Sequence, residues 1–298
     1  MTDYKEHIEE EIWFSAVSQA ELSKYDKDAA FSLFQKRVAC KQHTGKTRWM
    51  RWLRYAAVFA IVAALSYSSF KGGEELVAST FNDIVIEAPR GARTHVVLPD
   101  GSVVYLNAES KISYSQGFGF KKRLVSLIGE GYFEVAHNEQ LPFIVESGNL
   151  RVKVLGTKFN FRDYPADDEA VVSLLEGSVA LNVLDSEENA ICLTPNHHAV
   201  LDKKEGKLKV EDCLAVNAIQ WTQDKLLLDG EPLADIVKRL ERSYDVTFKI
   251  ENKQLLDLHF YGDFSCRDQQ LTEILDALSA TGKIQYRMEG RHVILFQK

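Results

Sequence analysis

One apolar run, WMRWLRYAAVFAIVAALSYSSF at residues 49–70, constrains the fold of this chain more than any other segment. It contains sixteen consecutive uncharged residues, from Tyr55 to Phe70. As a helix, the whole run would extend about 33 Å, which is enough for the roughly 30 Å hydrocarbon core of a bilayer. Aromatic rings and long basic side chains favour the headgroup region, and the run begins with four such anchors: Trp49, Arg51, Trp52 and Arg54. The run therefore predicts one transmembrane helix, with a buried core helix as the alternative.

The charges on either side of this run predict its orientation. Residues 35–54 contain seven basic residues and no acidic one, whereas Glu74 and Glu75 follow the run closely. Because basic residues accumulate on the cytoplasmic side, the N-terminus is predicted to be cytoplasmic and the chain after residue 70 to be translocated. The run begins too far along the chain for a cleaved signal peptide. The net charge is +2 for residues 1–54 and −9 for the remainder. The basic cluster is therefore interpreted as a group of residues that lies beside the lipid headgroups, and direct nucleic-acid binding is not expected.

The segment before the run, residues 1–47, is predicted to form two short helices. Apolar residues recur at spacings of three and four in EEIWFSAVSQAEL and again in AAFSLFQKRVA. Asp26 or Asp28 is available to begin the second helix. Two helices of this length contain too little core to be stable alone, so they need a partner. A small bundle that packs on itself or on another copy is the alternative.

Residues 80–212 are predicted to fold as an all-β domain. Short segments rich in β-branched and aromatic residues, such as THVVL and PFIVES, are separated by turn signals about every eight to twelve residues. GEGYF is interpreted as a turn between two strands. This spacing is typical of a sandwich, a barrel or a solenoid without a long helix.

Residues 220–298 contain an internal repeat with a constant offset of 38 residues. PLADIVKRLERSYDVTFKIE aligns with QLTEILDALSATGKIQYRME, and each copy predicts an amphipathic helix followed by an alternating strand. The segments KLLLD and LHFYGDFS precede the two helices and are predicted to be strands. The sequence thus predicts a doubled βαβ unit of the α+β class, with both helices on one face of a small sheet that has an exposed edge.

The sequence offers few residues for catalysis or metal binding. It lacks the motifs of serine hydrolases and zinc proteases, and no phosphate-binding loop is expected. His197 and His198 are adjacent, so in a strand they would point to opposite faces and are not expected to share a metal ion. The acidic run at residues 167–169 is interpreted as a solvated loop. We therefore expect no enzyme, no metal and no cofactor.

The cysteine spacing does not match a metal-binding pattern either. Of the four cysteines, three follow the apolar run: Cys192, Cys213 and Cys266. A Cys192–Cys213 bridge is one possibility outside the cytoplasm, but an odd number of cysteines does not complete a disulfide framework. Free buried thiols are the favoured interpretation.

Gly156–Thr157, in VKVLGTKFNF, is the one dipeptide for which the sequence suggests a covalent reaction, cleavage of its own peptide bond. In a strained backbone, the Thr157 hydroxyl can attack the Gly156 carbonyl carbon and shift the acyl group from nitrogen to oxygen, after which water hydrolyses the ester. Glycine would permit the tight geometry that this step needs. The alternative is a glycine at a strand bend.

Three segments of the β-rich region resemble the FecR-like family of membrane-bound anti-sigma factors: GARTHVVLPDGSVVYLNAESKISYS, LIGEGYFEVAHNEQLPFIVESGNLRVKVLGTKFNF and SLLEGSVALNV. The doubled βαβ unit resembles the secretin/TonB short N-terminal type of domain, which follows the FecR domain in many members. Together the similarity covers roughly residues 80–298. The layout agrees with the family as well, with a short cytoplasmic helical segment, one membrane span and an external region.

The resemblance implies a transcription regulator in the bacterial inner membrane, with its C-terminal region in the periplasm. Its cytoplasmic segment would sequester an extracytoplasmic-function sigma factor through four apolar anchors: Ile12, Trp13, Leu33 and Phe34. The periplasmic domains would receive a signal from the N-terminal signalling domain of an outer-membrane TonB-dependent transporter, often one that imports iron chelates or glycans. An intramembrane protease would then release the sigma factor. Some relatives cleave themselves at a Gly-Thr bond, which corresponds to Gly156–Thr157 here.

Two other classes of protein are compatible with the sequence. A membrane-anchored glycan- or peptidoglycan-binding module would need an exposed aromatic platform, whereas the aromatic residues here mostly alternate along strands as core residues do. An assembly protein of a secretion or transport complex could use a doubled βαβ domain, but it would have little use for apolar cytoplasmic helices. Binding of a sigma factor by residues 1–45 would distinguish an anti-sigma factor from both classes.

Overall fold

The structure is a computed structural model that describes residues 26–41, 52, 55–69, 82–184 and 190–297. The chain divides into two compact units, Met1–Val77 and Ala78–Lys298. In the first unit, helix α1 spans Lys27–Lys41 and helix α2 spans residues 55–69. Among its described residues, the second unit contains the strands, two further α-helices and two 3₁₀ segments.

Helix α1 begins where the sequence predicts a helix start. Asp26 Oδ1 accepts hydrogen bonds from the backbone N–H groups of Asp28 (3.1 Å) and Ala29 (3.4 Å). These are two of the donors that have no partner within the helix, so a side-chain oxygen at this position stabilises the helix end. Asp26, rather than Asp28, is therefore the capping residue.

Helix α2 lies within the apolar run. All of its side chains are exposed, and Trp52, just before it, is helical and 73% exposed. Among the helices in the described ranges, none combines the length and the apolar character that a membrane span requires. The other three predicted anchors, Trp49, Arg51 and Arg54, lie outside the described residues.

The β-domain, residues 83–212, consists of strands that form two sheets with one strand in common. The described strands are β1 Asp83–Ala88, β2 Thr94–Val97, β3 Val103–Leu106, β4 Ser110–Ser115, β5 Arg123–Glu134, β6 Phe143–Glu146, β7 Leu150–Val154, β8 Lys158–Asp163, β9 Glu169–Glu176, β10 Val179–Val183, β11 Ile191–Leu193, β12 His197–Asp202 and β13 Lys207–Asp212. The first sheet has the order β1-β4-β5-β6-β7-β10-β11. The second has the order β2-β3-β5-β8-β9-β12-β13. All pairs are antiparallel except β5–β6.

A single hydrophobic core joins the two sheets. Val125 and Val145 of the first sheet belong to the same buried cluster as Phe133 and Phe159 of the second, and all four are fully buried. The rings of Phe133 and Phe159 are stacked with their centroids 4.9 Å apart. Alternating strand residues from both sheets thus fill the interior, and the predicted all-β fold is confirmed for this region.

Strand β5 shows that the predicted turn at GEGYF is wrong. The strand continues through this segment and pairs with β4 and β6 over its first half and with β3 and β8 over its second half. Gly129 lies at the change of partners with a φ of +97°, a value that favours glycine. An added Cβ at Gly129 would lie 2.5 Å from Ser110 Oγ. The glycine therefore allows one strand to bend from one sheet into the other.

The C-terminal lobe, residues 225–297, follows a short 3₁₀ linker helix at Ala215–Gln223. Its elements are β14 Lys225–Pro232, α3 Leu233–Tyr244, β15 Thr247–Ile250, a 3₁₀ turn at Lys253–Asp257, β16 His259–Ser265, α4 Leu271–Ala280, β17 Gln285–Glu289 and β18 His292–Phe296. The apolar faces predicted for both repeat helices are buried in one core, which confirms the amphipathic pattern: Leu233, Ile236, Val237 and Leu240 in α3, and Leu271, Ile274, Leu275 and Leu278 in α4.

The predicted single small sheet is wrong for this lobe. The strands before the helices, β14 and β16, pair with each other as an antiparallel ribbon. The strands after the helices, β15 and β17, both pair with β18, in parallel and antiparallel orientation respectively. The repeat is therefore divided between two sheets, because β18 lies outside the repeat and takes the central position in the second sheet.

Candidate functional site

Helix α1 exposes large apolar side chains. Leu33 is 65% exposed and Phe34 is 57% exposed, and Phe31 and Val38 are exposed beside them. Clustered exposed apolar surface on a short helix indicates a site of protein interaction. Ile12 and Trp13, the other two predicted anchors, lie outside the described residues.

The Gly156–Thr157 bond lies between β7 and β8, in a closely packed environment. The Thr157 side chain is buried, and its hydroxyl donates a hydrogen bond to the carbonyl of Ser178 at 3.0 Å. The Thr157 carbonyl accepts a hydrogen bond from the N–H of Val135 at 3.0 Å. Hydrogen bonds therefore fix both the side chain and the backbone carbonyl of Thr157.

Close approach, not an unusual backbone conformation, requires glycine at position 156. A Cβ at Gly156 would lie 2.6 Å from His137 Nδ1, and Gly156 is not among the glycines with positive φ. Gly177 has a φ of +95°, and a Cβ there would lie 2.8 Å from Thr157 Oγ1 and 3.0 Å from the Gly156 carbonyl oxygen. Two glycines thus let an imidazole and a neighbouring turn approach the Gly156–Thr157 bond. Gly156 also lies in a bend between β7 and β8, as the alternative interpretation expected, and it makes this close contact as well.

The cysteines of the second unit are free thiols. Cys192 is exposed, which differs from the buried position expected for it, and Cys213 and Cys266 are half-buried. Burial, with the neighbouring Asp212 carboxylate, raises the pKa of the Cys213 thiol. These three positions therefore do not form a disulfide framework.

The joint between the β-domain and the C-terminal lobe contains a buried ionic contact, which we call the Arg242 latch. Arg242 of α3 is buried, and its Nη1 donates to Asp167 Oδ2 at 3.1 Å while its Nη2 also contacts Oδ1 of the same carboxylate. The guanidinium carbon lies 3.6 Å from the ring centroid of Tyr164, and the Arg242 carbonyl accepts a hydrogen bond from the N–H of Gly91 at 2.7 Å. A planar guanidinium suits both the bidentate and the stacked contact. The latch consists of Arg242, Asp167 and Tyr164.

The latch corrects the interpretation of the acidic run at residues 167–169. The Asp167 side chain is only 13% exposed, because α3 covers it, whereas Asp168 contacts Lys204 at the surface. Burial and the nearby Glu130 carboxylate raise the pKa of Tyr164 above its usual range, and its hydroxyl donates to the Ala108 carbonyl at 2.8 Å. One member of the acidic run is therefore a structural ion-pair partner.

A second set of polar contacts lies at the linker helix. Arg93 Nη1 donates to Asp224 Oδ1 at 2.6 Å, and Arg93 Nε donates to Asn107 Oδ1 at 2.9 Å. Asp224 caps the linker helix in a left-handed conformation, with a φ of 59°. Trp221 Nε1 donates to Asn160 Oδ1 at 3.2 Å, so the linker is hydrogen-bonded to β8. The joint is thus held by polar and ionic groups.

Three buried aromatic residues of the second unit belong to neither hydrophobic core, and two of them, Tyr164 and Trp221, lie at the joint. Tyr132, Tyr164 and Trp221 are buried, yet they lie outside both core clusters. Sequence analysis missed these residues and the charged pairs around them. The one available signal was Trp221, an isolated tryptophan in the segment between the two predicted domains.

Comparison with known proteins identifies both parts of the second unit. Residues 84–180 match the FecR protein family and residues 225–295 match the FecR C-terminal family. No curated protein sequence matches the chain. The resemblance of the C-terminal lobe to the secretin/TonB short N-terminal type of domain stays a prediction.

Two crystal structures of a candidate anti-sigma factor from Parabacteroides distasonis are similar to this chain. The first has 30% sequence identity and a TM-score of 0.67, and the match spans 72% of this chain and 99% of the solved chain. The second has 29% identity and the same TM-score, and spans 73% and 100%. These matches support a role in anti-sigma signal transduction, that is, a regulator rather than an enzyme. The chain belongs to the FecR-like family of anti-sigma factors.

Proposed function

We propose that the chain is a single-pass inner-membrane anti-sigma factor that sequesters an extracytoplasmic-function sigma factor. The observation that carries this proposal is the exposed apolar surface of α1 in a member of an anti-sigma family. Burial of Leu33 and Phe34 in a sigma factor would remove apolar area from water, and this burial is the main source of binding free energy at such contacts. A sigma factor held in this way cannot join core polymerase.

The proposed membrane span is residues 49–70. Its support is the uncharged run, the basic residues that precede it and the helical conformation of residues 55–69 with outward-facing side chains. The first unit would then lie largely in the cytoplasm and the second in the periplasm. After a signal, an intramembrane protease would cut this helix and free the sigma factor.

The C-terminal lobe is the proposed receiver of the signal from the N-terminal signalling domain of an outer-membrane TonB-dependent transporter. Among the described strands, β16 and β17 are each paired on one side, with β14 and β18 respectively. Strands with a free edge accept an added strand from another protein through backbone hydrogen bonds. A transporter for iron chelates or glycans would use such an edge to report that it is loaded.

Replacement of Leu33 and Phe34 together by alanine is expected to weaken sigma-factor binding at least about 30-fold, because buried apolar anchors dominate interface free energy. Binding is measured by co-purification and titration of the full chain in detergent with each candidate sigma factor. The matched control on the same helix is Ser32→Ala with Gln35→Ala, which should bind as the wild type does. Equal binding by the Leu33/Phe34 variant and this control would contradict the assignment of α1.

We further propose that the chain cleaves itself at Gly156–Thr157. The Thr157 oxygen attacks the Gly156 carbonyl carbon, the C–N bond breaks and the hydroxyl proton passes to the departing nitrogen. Water then hydrolyses the ester to a Gly156 carboxylate and a free Thr157 hydroxyl. The support is the hydroxyl already hydrogen-bonded to the Ser178 carbonyl and the imidazole of His137 beside Gly156.

Thr157→Ala is expected to leave the chain intact, because no hydroxyl remains to attack, whereas the wild type should yield two fragments with Thr157 at the new N-terminus. Intact mass and N-terminal sequencing of the purified chain measure this. Thr194→Ala, a change away from the bond, should cleave as the wild type does. A single uncut species in the wild type and in both variants would contradict the proposal of self-cleavage.

A further inference from the structure

A cavity of about 450 Å³ opens at the joint between the β-domain and the C-terminal lobe. Its volume lies within the range of sites for small molecules, which is roughly 300–1,000 Å³. Residues of both parts line it, and those that matter here are Arg93, His95, Tyr105, Trp221, Asp224 and Ser243. We refer to it as the joint cavity.

The floor of the joint cavity is aromatic. His95 of β2 and Tyr105 of β3 line the cavity and pair directly with each other, and Tyr105 also pairs with Tyr132 of β5, which is buried beside it. The ring centroids are 5.9 Å and 5.7 Å apart, and each pair of rings is tilted by 30°. Because Val104 and Leu106 on either side of Tyr105 point into the core, these three rings form a row on the opposite face of the sheet.

The rim of the joint cavity is polar and electrically balanced. The guanidinium of Arg93 and the carboxylate of Asp224 are paired at 2.6 Å, so their charges cancel. Arg93 occupies one oxygen of Asp224, Oδ1, which leaves the second oxygen available to accept a hydrogen bond. The Thr222 hydroxyl donates to the Ile219 carbonyl at 2.8 Å and keeps its capacity to accept, and the Ser243 hydroxyl adds a group that can both donate and accept. A rim of this kind favours a neutral ligand with many hydroxyl groups over a charged one.

We propose that the joint cavity binds a neutral carbohydrate of one or two sugar rings. The apolar C–H face of a sugar ring would lie on Tyr105 and His95, and its hydroxyls would bond to Asp224, Arg93 and Ser243. A sugar ring fits the joint cavity in shape and in chemistry. Its apolar face matches the aromatic floor, and its hydroxyl-bearing edge matches a rim that contains both donors and acceptors.

Such a ligand would act on the joint itself. Tyr105 and Arg93 belong to the β-domain, whereas Asp224 and Ser243 belong to the linker and the C-terminal lobe. A sugar bound between them would contact both parts at once and would stabilise their native arrangement in proportion to its concentration. The second unit would then sense a periplasmic sugar directly, independently of any sigma factor.

Trp221 lines the joint cavity, so its fluorescence can report the binding of a sugar there. In the full chain with Trp13, Trp49 and Trp52 replaced by phenylalanine, Trp221 is the sole tryptophan. This chain, in a detergent without a sugar headgroup, is titrated with glucose, galactose, mannose, N-acetylglucosamine and their disaccharides. A saturable change in Trp221 fluorescence and a rise in melting temperature with at least one of these sugars are expected.

Tyr105→Ala should weaken that binding at least about tenfold, because the stacking surface is lost. Tyr105→Phe keeps the ring and should bind as the wild type does, which separates loss of stacking from loss of folding. Tyr261→Ala removes an exposed tyrosine outside the cavity and is the matched control. A saturable response to none of the sugars, equal binding by the Tyr105→Ala variant, or a response only to charged peptides would overturn the proposal.

Discussion

Arg123→Ala is expected to lower the free energy of unfolding of the second unit by about 3–5 kcal/mol, because it leaves a buried carboxylate without its cation. The Arg123 side chain is 2% exposed and lies 3.0 Å from Asp100 Oδ2. Its Nε donates to the Leu141 carbonyl at 2.7 Å, and its Nη1 also donates to the Ala136 carbonyl at 2.8 Å. Loss of the guanidinium removes all of these donors at once, and each unpaired buried acceptor adds a desolvation penalty.

Urea denaturation followed by circular dichroism measures this change. Arg123→Lys should also destabilise strongly, since an ammonium group lacks the planar fork that reaches several acceptors together. The matched control is Arg151→Ala, which breaks an exposed pair with Glu146 at 2.6 Å and should change the free energy of unfolding by about 1 kcal/mol or less. Equal effects at Arg123 and Arg151 would show that burial does not set the strength of these pairs.

Arg242→Ala is expected to lower the free energy of unfolding by about 3 kcal/mol and to separate the unfolding of the β-domain from that of the C-terminal lobe. The change leaves Asp167, which is 13% exposed, without its bidentate partner, and it removes the cation from the Tyr164 ring. Because each part has its own core, loss of the latch should give two calorimetric transitions where the wild type gives one.

A double-mutant cycle with Asp167→Ala tests whether the latch is the cause. The two changes should be strongly non-additive, because either one alone already breaks the same contact. Arg291→Ala is the control, since Arg291 is 77% exposed and pairs with Asp245 at 2.6 Å on the surface of the lobe. Additive effects of Arg242→Ala and Asp167→Ala, or a single transition in every variant, would contradict the role of the latch.

Local patterns were sufficient to predict the secondary structure of the repeat. Positions 38 residues apart have the same environment in both copies, so that Ile236 and Ile274 are both fully buried. Helical spacing depends on neighbouring residues alone, and the sequence contains that information directly. The pairing of strands depends instead on residues far apart in the chain. For this reason the position of β18 between β15 and β17 was not predicted.

The predicted turn at GEGYF shows how a local rule fails. Two glycines within three residues are typical of a turn, yet Gly129 bends a continuous strand and Gly131 packs beside the ring of Phe133. Only the pairing of β5 with four other strands decides between the two outcomes. That pairing depends on residues up to 34 positions away in the chain.

The candidate sites divide in the same way. Leu33 and Phe34 were predicted from the apolar spacing of one short helix, and both are exposed on α1, whereas their contact with a sigma factor stays a prediction. The contact between Asp167 and Arg242 joins residues 75 positions apart, and no local pattern relates them. The aromatic residues were interpreted in general as core residues because they alternate along strands, but Tyr105 and Tyr132 lie on the face of the second sheet opposite the core.

Strand β5 has a mechanical consequence. It is the physical continuation of one sheet into the other, with hydrogen-bonded neighbours along both of its sides. Because one continuous strand belongs to both sheets, β5 can detach from the domain only when its hydrogen bonds to four strands break. A pull from the linker end acts first on the edge strand β13, which pairs only with β12 among the described strands, so we expect β13 to detach early and β5 to detach last.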